Sequence, residues 1–204
     1  TGLEAGQSAF GDVYAWFKNF LSYAGEVSLS KLEAEASQIV PGSTSVFAVD
    51  WFNGRRSPYA NPLLNGAICG LQLSSTAPMV YRALIESTLF AAKHIVEHFK
   101  DHQIPIETLI ATGGISQKSP LIMQMMADII EMPVKVTANE QCCALGAAMF
   151  AAVVASKFSS INDAMQKMGK GYNKIYYPDK DKREIYRELY KKYLKLAKQL
   201  EEIK

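Results

Sequence analysis

The sequence predicts an α/β fold in which parallel strands are joined by crossover helices, and three observations point that way. Residues 108–157 alternate strand, helix, strand, helix with short links, an order that sets neighbouring strands parallel. The pair Gly113-Gly114 stands where the first of those strands meets its helix, at the carboxyl end of a strand, where such sheets usually take ligands. The 204 residues are 49% hydrophobic and 21% charged, an ordinary globular composition able to build a substantial core.

Each element follows from its own pattern. Ala9, Val13, Trp16, Phe17, Phe20 and Leu21 recur at helical spacing and predict a helix over 6–23. Residues 30–39 predict a short helix closed by Pro41-Gly42. VFAVDWF (46–52) has strand composition, NGRRSPYANP is a polar loop, and 66–73 is a second strand. Pro78 opens a long helix to about Lys100, since proline is tolerated in a first turn. TLIAT (108–112) predicts a buried strand, 118–131 a helix, 133–137 a strand and 140–157 an alanine-rich helix. A short helix over 161–168 follows. The last helix, 180–202, carries Ile185, Leu189, Tyr193, Leu196 and Leu200 on one face.

The bulk numbers exclude several function classes. A net charge of +2 gives no reason to expect nucleic acid or an anionic membrane as a partner. The longest apolar run falls well short of the roughly 20 residues a membrane helix needs, and no secretory signal precedes the first helix. The cysteines are Cys69, Cys142 and Cys143; an odd count with two adjacent and no C-x-x-C argues against a disulfide framework and for a reducing cytoplasm. The chain begins at Thr1 and reads as a piece of a longer protein.

Three glycine-rich stretches carry the functional signal. At Gly113-Gly114 the missing side chains let a ligand approach the main chain, the following helix offers unpaired N–H groups, and Lys118 adds a cation. Phosphate or an adenosine group suits such a place. A tight turn needing only a positive φ explains the same pair. The motif is neither G-x-G-x-x-G nor a P-loop. EAGQSAFGDVYAWF (4–17) repeats the character, with Gly6 and Gly11 ahead of a helix whose Asp12 is a helix-end carboxylate, a catalytic group or simply solvated. In NEQCCALGAAMFAA (139–152), Ala144, Gly146, Ala147 and Ala148 allow close packing.

Other signals are weaker. His94, Glu97 and His98 fit H-x-x-E-H, yet a zinc hydrolase needs a further ligand and a cleft, and an exposed helix edge is the plainer reading. Arg55-Arg56 either holds an anion or forms a solvated turn tip. Lys191, Lys192, Lys195 and Lys198 read as a solvated helix face.

Taken in order, GLEAGQSAFGDVYAWF, DWFNGRR, ATGGISQKSPLIMQMMADI and ANEQCCALGAAMFAAV resemble the FGGY family of carbohydrate kinases over nearly the whole chain. Met79 stands where that family's signature usually has a polar residue. The resemblance implies a ribonuclease-H-like lobe of the actin/hexokinase-type ATPases, a mixed sheet flanked by helices. It would be the C-terminal lobe of a two-lobe sugar kinase, and incomplete. Residues 1–158 would be the ATP-binding lobe without its first strands, and 159–204 a C-terminal helical extension packed on it. The implied cofactors are ATP and Mg²⁺, and the implied substrate is a sugar, L-ribulose, reached through the missing N-terminal lobe. Another pentulose or polyol, or a non-catalytic nucleotide-binding module of the same fold, is the alternative. The nucleotide would lie against Gly11, Gly113, Gly114, Ser116, Gln117 and Lys118, with Glu140 and Ala144 to Ala148 packed behind. The general base, a phosphate loop and a second phosphate hairpin would lie outside these residues, so this chain alone is expected to be inactive. Oligomeric state is left undecided by the sequence, a homodimer being one option.

Overall fold

The computed structural model describes residues 2–203. α1 runs over Gly11–Leu21 and buries Val13, Tyr14 and Phe17; a 3-10 turn over Ser22–Ala24 closes it. The predicted helix began at residue 6, but residues 6–10 are not helical. Their backbone is claimed by the 51–59 loop: Ser57 N donates to Gly6 O (3.0 Å) and Gly6 N to Ser57 Oγ (3.2 Å). α2 covers Leu29–Ser37, capped by Ser28, whose Oγ accepts from Lys31 N. β1 (Phe47–Val49) and β2 (Ala67–Cys69) form an antiparallel pair.

α3, Ala77–Asp101, is the axis of the molecule. Its buried set runs from Tyr81 to Val96 and includes Leu84, Ile85, Leu89 and Phe90. Helices α1 and α2, strand β1 and the later helices α5 (Pro120–Ile130) and α8 (Arg183–Glu202) pack around it.

The second sheet follows the predicted alternation. β3 (Leu109–Ala111) and β4 (Val134–Thr137) are parallel, in register Leu109 opposite Val134 and Ala111 opposite Val136. The helix predicted over 118–131 is α5, and a short helix absent from the sequence expectation, α4 (Gly114–Lys118), precedes it. They part at Ser119, whose φ of −118° and ψ of 91° are extended. Pro120 disfavours a helical residue before it, and the Ser119 hydroxyl accepts from Ile122 N (3.1 Å), capping α5. α6 spans Cys142–Val154 and α7 Ile161–Met168; Asn139 Oδ1 accepts from Gln141 N, turning the chain before α6 starts. β5 (Tyr172–Tyr176), absent from the sequence expectation, pairs antiparallel with β4 and makes the order β3-β4-β5. Only Tyr176 of its residues is buried, so it shows no apolar run. The last predicted helix begins as a 3-10 turn, Lys180–Lys182, and continues as α8.

α8 is bolted to the core by polar contacts. Arg82 is 5% exposed; it donates to Glu86 Oε1 (3.0 Å), to Ala36 O at the end of α2 (3.1 Å) and to Tyr186 OH on α8 (2.9 Å). Tyr193 OH donates to Asp50 Oδ1 (2.9 Å), just past β1. Two surfaces stand open instead. β3 is an edge, with Ile110 54% exposed, and α6 buries only Met149 while Phe150 and Val154 face outward.

Candidate functional site

The double glycine sits at the tip of β3, as predicted, and its two members differ. Gly113 has φ +90°, a conformation side chains rarely adopt. Gly114 opens α4 with no such demand, and a Cβ built on it meets nothing within 4 Å. Nothing inside the protein requires Gly114 to lack a side chain. It lines two cavities, one of about 460 Å³ and one of about 470 Å³, and a substituent there would project toward that space.

The first cavity lies between α1, α2 and the α4–α5 corner. Gly11, Tyr14, Ala15, Leu29, Tyr81, Ile115 and Ile122 form its apolar walls, and Ser30, Glu33, Lys118 and Ser119 are its polar groups. Gly11 brings α1 close to α4: a Cβ there would lie 2.6 Å from Ile115 Cδ1. Tyr14 turns its hydroxyl away, to Thr88 Oγ1 at 2.6 Å, and burial pushes its pKa well up. Tyr81 is likewise raised by burial, to about 12. Both rings present neutral faces. This slot suits a flat aromatic group with one charged end.

The second cavity follows the free edge of β3. Leu109, Ile110 and Ala111 line it with Ile95, Met126 and Ile130. It is apolar, and Gly114 and Ile115 separate it from the first.

The six residues expected at the nucleotide therefore divide. Gly11, Gly114 and Lys118 line the first cavity. Ser116 is buried, borders the second cavity and donates to Gly113 O (2.7 Å). Gln117 donates to Thr137 O (2.7 Å) and accepts from Asn173 (3.1 Å), tying the turn to β4 and β5. Gly113 shapes the bend itself. One expectation needs correcting: α4 has five residues, so few peptide dipoles align and its N-terminus gives little of the anion attraction expected of a long helix.

Residues from α2 and α3 at this site, Ser30, Glu33 and Tyr81, went unnoticed in the sequence. A signal was present for one of them. Leu29, Leu32 and Ala36 mark the inward face of α2, and Glu33 falls on it.

The remaining signals resolve as structure. Arg55 pairs with Glu201, donates to Tyr59 O (2.8 Å) and stacks over Trp51, while Arg56 pairs with Glu4. They border a third cavity of about 210 Å³ beside Asp50 and α8. Asp12 is exposed in the first turn of α1. His94 Nδ1 lies 3.1 Å from Tyr190 OH, which donates to Glu97; His102 Nδ1 lies 2.8 Å from His98 O. Among the described residues no three or more His, Cys, Asp or Glu are grouped to hold a metal ion. No described helix is long and apolar enough to cross a membrane.

Known proteins supply an independent comparison. A family model described as the FGGY family of carbohydrate kinases, C-terminal domain, matches residues 1–155. A ribulokinase of Vibrio parahaemolyticus is 43% identical over 219 residues, covering 98% of this chain and 39% of its own length. The crystal structure of a xylulose kinase from Rhodospirillum rubrum superposes with a TM-score of 0.81 at 28% identity, over 97% of this chain and 39% of that one. Glycerol kinase from Plasmodium falciparum, solved with ADP, superposes at 0.73 with 21% identity, over 91% of this chain and 36% of that one. The chain spans about two fifths of the length of the relatives it matches.

Proposed function

The chain belongs to the FGGY family of carbohydrate kinases, and from that membership we propose that it is the C-terminal, ATP-binding part of a ribulokinase. The whole enzyme would phosphorylate L-ribulose to L-ribulose 5-phosphate, a step of L-arabinose catabolism. The choice of sugar rests on relatives named ribulokinase at 35–43% identity. The ribonuclease-H-like fold of the lobe agrees with its structural neighbours.

The observation that carries nucleotide binding is Gly114: a glycine with no internal reason to be one, bordering an apolar slot that ends in a lysine. In this reading the base packs against the wall formed by Tyr14, Tyr81 and Ile115, the main chain at Gly114 runs beside the sugar and phosphates, and Lys118 offsets phosphate charge. Gly113, Ser116 and Gln117 hold the bend in place. Phosphoryl transfer rests on positioning and charge neutralisation. Mg²⁺ would be held by phosphate oxygens and residues outside this chain, as would the general base. Residues 159–204 pack on the same lobe as an extension, through β5 on β4 and α8 on α3.

The open surfaces support the same reading. A strand edge and an apolar helix left in water are liabilities. The rest of the kinase polypeptide, some three fifths of the relatives' length, is the occupant we assign to β3 and α6. The test compares the 204-residue chain with the intact polypeptide. Calorimetric titration should show ATP or ADP binding to the short chain, and coupled assays should show L-ribulose turnover only by the intact one. Turnover by the short chain would overturn the division of labour. Activity of the intact protein on another pentulose but not L-ribulose would overturn the substrate.

A further inference from the structure

We infer that Glu33 reads the nucleobase, its carboxylate accepting the exocyclic amine of adenine; this rests on the nucleotide reading above. Among the described residues Glu33 is the only carboxylate lining the slot. Its Oε1 accepts from Ser119 Oγ at 2.8 Å. Ser119 is itself buried and fixed, because the same hydroxyl accepts from Ile122 N at 3.1 Å. The carboxylate is therefore held in one orientation. Among the described residues, Ser119 supplies the only hydrogen bond recorded for it, and no cation lies within ion-pair distance. Oε2 stands ready for a donor brought by the ligand.

Charge then fixes which end of the ligand lies there. A carboxylate repels phosphate, so the base must lie toward Glu33 and the phosphates toward Gly114. The Tyr14 hydroxyl is committed to Thr88, and Ser30 Oγ is paired with Ser28 Oγ at 2.8 Å. Glu33 remains the anionic acceptor that can distinguish one base from another. One free oxygen matches the single amine on adenine. Guanine and its two adjacent donors would ask for both oxygens, and the 6-carbonyl of hypoxanthine would face a like-charged partner.

The test uses the intact kinase polypeptide and three ligands: ATP, inosine triphosphate, and purine riboside triphosphate, which is ATP without the amine. Wild type should bind ATP about tenfold more tightly than the amine-free analogue, the scale of one hydrogen bond to a charged group. In Glu33→Ala that preference should shrink to about twofold or less, with KM for ATP raised and kcat little changed. A thermal melt confirms the variant is folded, and the wild-type ligand comparison stands without any variant. Equal binding of ATP and the analogue by wild type overturns the role of Glu33 and leaves the nucleotide reading intact. So does an undiminished preference in Glu33→Ala. Failure of wild type to bind any of the three overturns the nucleotide reading and this inference with it.

Discussion

Asp50 is a carboxylate kept from water, with Tyr193 and Gln7 as its hydrogen-bond donors. Burial pushes its pKa from 3.8 to about 6. An acid with a raised pKa binds its proton more tightly in the folded state. Its contribution to stability is therefore full below about pH 3.8 and is lost as pH rises through about 6. The stability of wild type relative to Asp50→Asn should fall by about 3 kcal/mol between pH 3 and pH 7, measured by urea titration at each pH. A flat difference would show that Asp50 titrates as if exposed. Glu86, raised by burial to about 7 against the pull of Arg82, moves in the same direction and largely cancels in the comparison. Gly114 makes the opposite test. Gly114→Leu should change stability by no more than about 1 kcal/mol, because leucine prefers helix to glycine and the space is open. It should weaken nucleotide binding by about tenfold or more, since one misplaced group can cost that much. Unchanged affinity would mean that no ligand passes there.

Helices rather than strands decide how this chain holds together. Arg82 joins α2, α3 and α8 through three acceptors. Arg82→Met should cost about 3 kcal/mol, because Glu86 would be left buried without its partner, and chemical denaturation measures it. Adding Glu86→Leu should recover much of the loss, since a buried pair is often replaceable by apolar side chains. A double variant no better than the single one would place the cost elsewhere. The pattern of the elements was largely legible: apolar spacing marked α1 and α8, Pro78 marked the start of α3, and the strand–helix alternation gave the parallel β3–β4 pair. What escaped was set by contacts far along the chain. Gly6 is held by hydrogen bonds with Ser57 instead of opening the first helix, and β5 is specified by β4 rather than by burial. The glycines that border the candidate site stood out in the sequence, although a tight turn explained the pair as well. Glu33 did not, because a carboxylate on a short helix looks like any solvated one until Ser119 is placed beside it.

For the molecule as a whole, the exposed faces predict behaviour in solution. Phe150 is 64% and Val154 86% exposed on α6, and β3 has one unpaired edge. The 204-residue chain alone should self-associate at micromolar concentration, as seen by sedimentation, whereas the intact polypeptide should not do so through this face. Replacing both residues, Phe150→Glu with Val154→Lys, should reduce association with little change in melting temperature, because neither side chain is in the core. Association that persists unchanged would locate the sticky surface elsewhere.

The long sequence separation between α3 and α8 has a consequence for biosynthesis. Tyr186, Leu189, Tyr190 and Tyr193 fill the core beside α3, yet a ribosome delivers Tyr186 104 residues after its partner Arg82. Until they emerge, Arg82 and Asp50 lack the tyrosines that complete their contacts. A nonsense mutation just ahead of Arg183 would remove a keystone rather than a tail, and the product should be cleared by cellular proteases instead of persisting as a weakened fold.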